Sequence, residues 1–471
     1  MPHLFISAAH KSSGKTTVSI GLCAALRARG LAVQPYKKGP DYIDPLWLSQ
    51  AAGRPCYNLD FYTMSREEIL AAFAAQMQGA DIGLIEGNKG LYDGLDLDGS
   101  NSNAALAGLL GAPVVLVLDT RGMTRGVAPL ILGYQAFDPG LRIAGVVLNH
   151  VGGSRHEGKL RRVIEHYTDV AVVGAVARSA DLEIVERHLG LMPSNESTQA
   201  TAQIERLGVR IAESVDLDRL LGIARTALPL PARVRPDPPP PARVRLGVAR
   251  DEAFGFYYPG DLDALRRAGA ELVFFDTLRD AELPAVDGLF IGGGFPEMRM
   301  EALERNAVMR NAIADYVAAG GPVYAECGGL MYLARSLAWK GKVCRMVGVI
   351  PADVVMCERP QGRGYVRLVE TGESPWPAPA GGSAEIAAHE FHYSRLDNMG
   401  SGLRYAYRVL RGHGIDGEHD GIVLGNLLAS YTHLRDVGGN HWTQRFVAHV
   451  AACKGARGAR PAAAEGPACS S

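Results

Sequence analysis

Short apolar runs alternate with longer amphipathic stretches through the first half of the chain. The apolar runs predict buried strands, and the stretches between them have the spacing of amphipathic helices. The predicted strands are Leu4–Ser7, Ile82–Ile85, Val114–Leu118, Ile143–Leu148 and Val170–Val176. The clearest predicted helices are Thr16–Arg29 and Arg66–Gln78.

The second half repeats this pattern. Its predicted strands are Val244–Ala249, Leu272–Phe275, Gly288–Ile291 and Val323–Ala325, and its predicted helices are Leu262–Ala268 and Arg305–Ala319. Alternation of strands and helices implies parallel sheets covered on both faces. We therefore expect two doubly wound α/β domains, each with its site at the carboxyl ends of the strands.

A proline-rich segment separates the two halves. Residues 226–245 read TALPLPARVRPDPPPPARVR, a composition that is stiff and extended and that cannot form a core. The resulting prediction is a first domain at 1–225, a linker at 226–245 and a second domain at 246–453. Residues 454–471 are rich in Ala, Gly and Pro, and we expect them to be disordered.

Composition narrows the classes of function. The 471 residues include 49 Lys and Arg and 50 Asp and Glu, for a net charge of -1. This balance argues against a nucleic-acid-binding protein, because such proteins normally have a surplus of basic residues. No apolar run reaches the roughly 18 residues of a membrane helix. The amino terminus lacks a signal-peptide pattern, so we expect a cytoplasmic protein. The seven cysteines form no Cys-x-x-Cys pair, which argues against a zinc site or a disulfide framework.

The first predicted strand runs into a small-residue loop and then a helix, the context of a phosphate-binding P-loop. The candidate nucleotide-binding residues are Ser12, Ser13, Gly14, Lys15, Thr16 and Thr17. Loop N–H groups face a phosphate, Lys15 adds a positive charge, and the Thr16 hydroxyl can hold Mg²⁺. Ala9 stands where the P-loop pattern has its first Gly.

Polar residues follow other strands of this half. Asp41 and Asp44 flank Tyr42 in a turn, and Glu86 ends an apolar strand before a glycine-rich loop that presents Asp93. In P-loop proteins an acidic residue at a strand end commonly serves Mg²⁺. Asn149 is a candidate for contacting the base of the nucleotide. The candidates for binding an anionic substrate are Lys37, Lys38 and Lys89.

The second half carries a candidate nucleophile. A strand runs directly into Cys327, two glycines follow, and a helix begins, which indicates a nucleophile elbow. Three glycines at 292–294 also follow a strand, and their N–H groups suit an oxyanion hole. A thiol needs a base. The candidates are His433 and, as its rival, His392 in the His-x-x-His sequence that starts at His389.

Together these motifs resemble the cobyrinic acid a,c-diamide synthase family. The resemblance is carried in order by residues 12–17, 39–45, 86–94, 292–297, 325–329, 389–394 and 429–433. It implies an N-terminal domain similar to dethiobiotin synthetase, which uses ATP and Mg²⁺, and a C-terminal class I glutamine amidotransferase domain. Such enzymes amidate two acetate side chains of a corrinoid with ammonia from glutamine.

The resemblance also implies roles for individual residues. Cys327 would be the glutaminase nucleophile, His433 its base, and Gly293 with Gly294 the oxyanion hole. In the first domain, Thr16, Asp44 and Glu86 would bind Mg²⁺, while Lys38, Asp41, Tyr42, Asp44 and Asp93 would handle phosphate and the tetrapyrrole carboxylate.

The chain departs from the family pattern after His433. Most class I glutaminases have His-x-Glu, whereas position 435 is Arg; the cobyrinic subgroup also lacks this Glu, but it usually continues His-x-His. Without that Glu, His433 is expected to act as a neutral imidazole without a carboxylate partner. The altered tail leaves sirohaem open as an alternative substrate. A P-loop ATPase scaffold with an inactive amidotransferase-like domain is an alternative of another class. The sequence does not determine the oligomeric state, and a homodimer is one option.

Overall fold

The structure is a computed structural model that describes residues 1–179, 184, 186–187, 190–196, 199–230, 240–378 and 385–458. The chain divides into two compact units, Met1–Pro236 and Asp237–Ser471, with the boundary inside the proline-rich segment. The start of that segment contacts the first unit, since the Leu228 N–H donates to the Gly111 carbonyl at 2.9 Å. Packing of the first unit therefore extends at least to Leu228, and residues 231–239 lie outside the described residues.

A parallel sheet forms the centre of the first unit. Its strands are β1 (His3–Ala8), β2 (Val33–Lys38), β3 (Tyr57–Leu59), β4 (Ile82–Glu86), β5 (Val114–Asp119), β6 (Ile143–Val151) and β7 (Ala171–Ala177). Among the described residues, the order across the sheet is β3-β2-β4-β1-β5-β6-β7, and all neighbours are parallel. The loops after β1, β2 and β4 therefore meet at one edge.

Helices cover this sheet. They are α1 (Lys15–Ala28), α2 (Ile43–Ala52), α3 (Arg66–Gln76), α4 (Asn103–Leu110), α5 (Val127–Phe137), α6 (Ser154–Tyr167), α7 (Ala200–Ser214) and α8 (Leu217–Ala224), with short strands β8 (Glu186–Arg187) and β9 (Gly190–Leu191) before α7. Leu22 of α1, Trp47 of α2 and Leu207 of α7 share one fully buried apolar cluster with β1. Burial of that apolar surface is the main force that fixes α1 over the sheet.

The second unit has a larger mixed sheet and a small one. The strands are β10 (Val244–Ala249), β11 (Ala270–Phe275), β12 (Gly288–Ile291), β13 (Val323–Glu326), β14 (Ala334–Trp339), β15 (Lys342–Arg345), β16 (Ile350–Met356), β17 (Gly362–Glu370), β18 (Ile386–His392), β19 (Ser394–Asp397), β20 (Arg404–Arg411), β21 (His419–Leu424) and β22 (Leu427–Ser430). The helices are α9 (Pro259–Arg267), α10 (Met300–Arg305), α11 (Ala307–Ala318), α12 (Gly328–Leu333) and α13 (Trp442–Gly458).

The predicted α/β class is confirmed for both units, and the second sheet adds a part that strand–helix alternation did not predict. Its order within the described residues is β11-β10-β12-β13-β22-β21-β20-β17-β18. The pairs up to β13–β22 are parallel, and the rest are antiparallel. Antiparallel neighbours can be joined by short turns without helices. The alternation of strands and helices along the sequence therefore does not predict these strands.

Two predicted boundaries differ from the structure. The helix predicted at Arg305–Ala319 corresponds to α11 (Ala307–Ala318), which begins later because Asn306 caps it by accepting from the Met309 N–H, and Arg305 ends α10. The tail predicted to be disordered from Lys454 is helical as far as Gly458, so that prediction is wrong for 454–458. There the Lys454 ammonium lies 3.0 Å from Asp287. Residues 459–471 lie outside the described part of the chain. Among the residues that the structure describes, no helix is long and apolar enough to span a membrane.

Candidate active sites

The loop between β1 and α1 has the backbone of a phosphate-binding turn. Gly14 caps α1 in the left-handed conformation with φ 82°, and Ser12 also has a positive φ of 64°. The Ser13 hydroxyl donates to the His10 carbonyl at 2.8 Å and closes the loop. Lys15 begins α1, with Thr16 and Thr17 in the same turn, so the helix N–H groups open toward the space where an anion would bind.

Asn149 braces this loop from the end of β6. Its side-chain amide is buried and donates to the Ser13 carbonyl at 2.9 Å. A Cβ at Gly14 would lie 2.0 Å from the same nitrogen. Asn149 was predicted to contact the nucleotide base, and in the structure its amide nitrogen has a partner in the P-loop. Position 14 thus requires glycine for both its φ and its space.

Thr16, Asp44 and Glu86 come together at the carboxyl edge of the sheet. The Thr16 hydroxyl lies 2.7 Å from Glu86 Oε1 and 3.3 Å from Asp44 Oδ2. The Lys15 ammonium is 3.4 Å from the same Glu86 oxygen. The three predicted metal ligands are therefore neighbours, although they lie up to 70 positions apart in the chain.

Lys37 occupies the centre of this cluster. Its ammonium lies 2.5 Å from Asp44 Oδ2 and 2.9 Å from Glu86 Oε1, and its side chain is 2% exposed. Burial alone would lower the pKa of Lys37, but the charges of Asp44, Glu86 and Asp41 outweigh it and raise the pKa well above its ordinary value. Lys37 was predicted as a cation for an anionic substrate, and in the structure its charge is paired with Asp44 and Glu86.

Asp41 shapes the turn between β2 and α2. Its Oδ1 accepts from the Ile43 N–H at 2.9 Å, an Asx-type turn, and Tyr42 beside it is buried. Burial and then the charge of Asp44 raise the pKa of Asp41 to about 7. For Asp44, burial acts upward, but Lys37 outweighs it and lowers the pKa of that carboxyl. The pKa values of these two neighbouring carboxyls are therefore shifted in opposite directions.

The loop after β4 contains the remaining predicted residues. Asp93 is exposed, and its Oδ2 accepts from the Gly90 N–H at 2.9 Å. Lys89 is also exposed, while Lys38 is buried, and burial lowers the pKa of Lys38 to about 8. Asn103, which was not among the predicted site residues, donates to the Gly90 carbonyl at 2.7 Å and anchors this loop. The sequence feature that could have identified Asn103 was an amide side chain at the start of a helix.

In the second unit, Cys327 stands on a strained turn between β13 and α12. Its φ is 48° and its ψ is -99°, a conformation that non-glycine residues rarely adopt. The Cys327 N–H donates to the Ser430 carbonyl at 2.7 Å. A Cβ at Gly329 would lie 2.1 Å from the Ile291 carbonyl oxygen, so the glycine pair lets α12 begin against β12. This is the geometry of a nucleophile elbow.

The glycine run after β12 passes beside this elbow. A Cβ on Gly328 would lie 3.0 Å from the Gly294 nitrogen, and one on Gly294 would lie 2.0 Å from the Ala253 carbonyl oxygen. The Gly293 carbonyl accepts from the Phe256 N–H at 3.0 Å, which holds the run in place. The Gly294 N–H therefore lies next to the residue that follows Cys327, and the oxyanion hole at 293–294 stays a prediction.

His433 contacts Cys327 directly. The imidazole is buried and forms a side-chain hydrogen bond with Cys327. Burial lowers the pKa of His433, but hydrogen bonds and charges of Cys327 and Glu326 outweigh it and raise the pKa to about 10. The raised pKa favours a protonated imidazole in the folded protein, whereas the sequence led us to expect a neutral one.

A carboxylate also contacts His433, contrary to the expectation drawn from Arg435. Glu326 Oε2 lies 3.3 Å from His433 Nδ1, and the ion pair is almost fully buried. Sequence reasoning missed Glu326 because it precedes the nucleophile and is 107 positions from His433. Its occurrence at the end of an apolar strand was the available signal.

The rival histidine lies elsewhere. His392 stacks on Tyr431 with ring centroids 3.8 Å apart, and its Nδ1 is 2.8 Å from the Ser394 carbonyl oxygen. His389 pairs with His433 only through the backbone, where the His433 N–H donates to the His389 carbonyl at 2.8 Å. The structure therefore places His433, and not His392, beside the thiol.

Arg435 is buried within the second unit. Its guanidinium lies 4.6 Å from the centre of the Tyr258 ring, and its charge acts on the buried Asp261 carboxyl. Because Arg435 packs against α9, the altered sequence after His433 has a structural explanation.

Comparisons with known proteins show which families the two units resemble. Residues 5–191 match the CobQ/CobB/MinD/ParA nucleotide binding domain, and residues 245–437 match the CobB/CobQ-like glutamine amidotransferase domain. Cobyrinate a,c-diamide synthase of Magnetococcus marinus is 50% identical over 94% of this chain and 96% of its own length. The enzymes of that name from Methanosarcina acetivorans and Listeria monocytogenes are 42% and 40% identical over 93% and 92% of this chain, and 93% and 96% of their own.

Proposed function

The chain belongs to the cobyrinate a,c-diamide synthase family, and we propose that it uses ATP and glutamine to convert the a and c acetate carboxylates of cobyrinate into amides. One observation carries this proposal. The same chain contains a Cys327–His433 pair in an amidotransferase unit and a cluster around Lys15, Thr16 and Glu86 in a nucleotide-binding unit.

The second unit would release ammonia from glutamine. The Cys327 thiolate attacks the side-chain amide carbon, and the N–H groups at 293–294 stabilise the oxyanion that forms. His433 gives its proton to the amide nitrogen, the C–N bond breaks, and ammonia leaves a thioester on Cys327. His433 then takes a proton from water, whose oxygen displaces the sulfur to give glutamate.

The first unit would activate the acetate carboxylate. A carboxylate is a poor electrophile, so transfer of the γ-phosphoryl group to its oxygen gives an acyl phosphate and ADP. Ammonia attacks the acyl carbon, the carbon–oxygen bond to phosphate breaks, and the amide and inorganic phosphate result. Lys15 and the N–H groups of α1 oppose the charge on the phosphoryl oxygens.

Thr16, Asp44 and Glu86 would hold Mg²⁺ with the nucleotide. Their donors are the hard oxygens that this ion prefers, and it usually takes one or two carboxylates together with substrate phosphates. Glu86 Oε2 is buried without a hydrogen-bond partner in the described residues, which fits a further ligand there. In the described part of the chain, no group of three or more His, Cys, Asp or Glu is arranged to hold a metal ion by itself. When bound, the ion would neutralise phosphate charge.

Product analysis tests the proposal. Purified protein with cobyrinate, ATP and glutamine should yield a diamide of cobyrinate, two equivalents of ADP and two of glutamate. Sirohaem provides the parallel arm, and diamide formed from sirohaem but not from cobyrinate would overturn the substrate assignment. Absence of glutamine hydrolysis in the wild-type protein would support the scaffold alternative.

A further inference from the structure

We propose that Glu326 is a positioning residue that holds the His433 imidazole in the tautomer able to exchange a proton with Cys327. This inference rests on the proposed glutamine hydrolysis. It identifies a third member of the site at a position different from the His-x-Glu position of most class I glutaminases, which is Arg435 here.

The two nitrogens of the His433 ring have different partners. Nδ1 lies 3.3 Å from Glu326 Oε2, which leaves Nε2 for the hydrogen bond with Cys327. A carboxylate can only accept at this position, so Nδ1 must carry a hydrogen. Nε2 is then the nitrogen that takes up and returns the catalytic proton, as in hydrolases with a carboxylate behind the histidine.

The strained elbow explains how two consecutive residues reach one imidazole. In a regular strand, Glu326 and Cys327 would point to opposite faces. The positive φ of Cys327 turns the chain out of β13 at this position. Both side chains can therefore contact His433, one at each ring nitrogen, and the strain at Cys327 has a function besides exposing the thiol.

Other contacts fix the orientation of the Glu326 carboxylate. Its Oε1 accepts from the Tyr324 hydroxyl at 2.6 Å and from the Leu434 N–H at 3.0 Å. The residue is 3% exposed, so water does not compete for the charge. Because two donors point at Oε1, Oε2 is directed at the imidazole. One carboxylate oxygen is thus held by fixed donors while the other contacts the imidazole. A positioning carboxylate needs such a fixed orientation, which a solvent-exposed ion pair lacks.

The substitution Glu326→Gln tests the proposal with almost no change of volume. The Tyr324 hydroxyl and the Leu434 N–H require an oxygen at the Oε1 position, so the new amide places its NH₂ group toward His433 Nδ1. The imidazole must then accept at Nδ1 and carry its hydrogen on Nε2, the wrong tautomer for the thiol. We expect kcat for glutamine hydrolysis to fall about 100-fold or more with little change in KM.

Controls separate positioning from folding. Amidation with ammonia should persist in Glu326→Gln, and Glu326→Asp should recover part of the lost glutaminase rate. Glu390→Gln is a matched control, because Glu390 is a buried carboxylate of the same unit that accepts from the His413 and Gly414 N–H groups. It should keep the wild-type glutaminase pH profile. Wild-type rates and an unchanged pH profile in Glu326→Gln would overturn the proposal.

The wild-type protein provides a second test that needs no substitution. We would record a ¹⁵N–¹H correlation spectrum of protein with labelled histidine and assign the His433 signals by their loss in His433→Ala. The spectrum should show a hydrogen on Nδ1 of His433. A resting His433 protonated on Nε2 alone would overturn the proposal. If the wild type fails to hydrolyse glutamine, the proposed function fails, whereas this spectrum still decides the contact with Glu326.

Discussion

The His433 imidazole lies directly against Gly293. A Cβ at position 293 would be 2.5 Å from His433 Cε1 and 3.4 Å from Nε2. Real Cβ atoms do not approach a ring this closely, and the imidazole is held at its other edge by Glu326. Glycine at 293 is therefore required by the position of the base as well as by the backbone of the oxyanion hole.

Gly293→Ala should displace the imidazole and lower glutamine hydrolysis about 100-fold, on the scale of losing a general base. Amidation with high ammonia should continue, because the first unit is untouched. Gly260→Ala is the control, since a Cβ at this helical glycine meets no atom within 4 Å. Equal losses in both variants would contradict the interpretation.

Cys327→Ser should abolish glutamine-dependent amidation and preserve the ammonia-dependent reaction. A serine hydroxyl has a far higher pKa than a thiol, so the nucleophile stays protonated beside His433. Steady-state assays with each nitrogen source measure the effect. Cys453→Ser in α13 should behave as wild type with both donors, and glutamine-supported turnover by Cys327→Ser would disprove the assignment.

Lys37→Met should destabilise the first unit and stop amidation with either nitrogen source. The substitution removes the buried cation that lies between Asp44 and Glu86, and loss of one partner of a buried ion pair costs about 3–5 kcal/mol. Urea unfolding and the amidation assay measure the two effects. Lys89→Met, at an exposed site on the neighbouring loop, should unfold at the wild-type urea concentration; equal destabilisation by both would contradict the buried role of Lys37.

His433 should make stability depend on pH. Its folded pKa is raised to about 10 from 6.5, so the folded state holds a proton that the unfolded state loses. The resulting stabilisation is fully present below pH 6.5 and is lost as the pH rises through about 10. The difference in unfolding free energy between wild type and His433→Ala should therefore shrink over this range, as denaturant titrations at several pH values can measure. A constant difference would contradict the raised pKa.

The chemical motifs could be predicted from the sequence because each is short and local. Gly14 and Lys15 follow one strand, and Cys327 with its glycine pair follows another, so strand, turn and helix propensities locate both turns. Glu86 was likewise identifiable at the end of its apolar strand. The α/β class followed from the same alternation, whereas the antiparallel part of the second sheet did not, because its hairpins have no helices between them.

The tertiary structure decided the relationships across long separations. Whether Lys37 faces a substrate or lies between Asp44 and Glu86 depends on how strands β2 and β4 pair, which residue types alone do not specify. Glu326 reaches His433 because β13 pairs with β22 and because the turn at Cys327 departs from strand alternation. The sequence by itself determined which groups were available for catalysis. Only the packing of distant segments determined which buried charges face each other and which contact the reacting atoms.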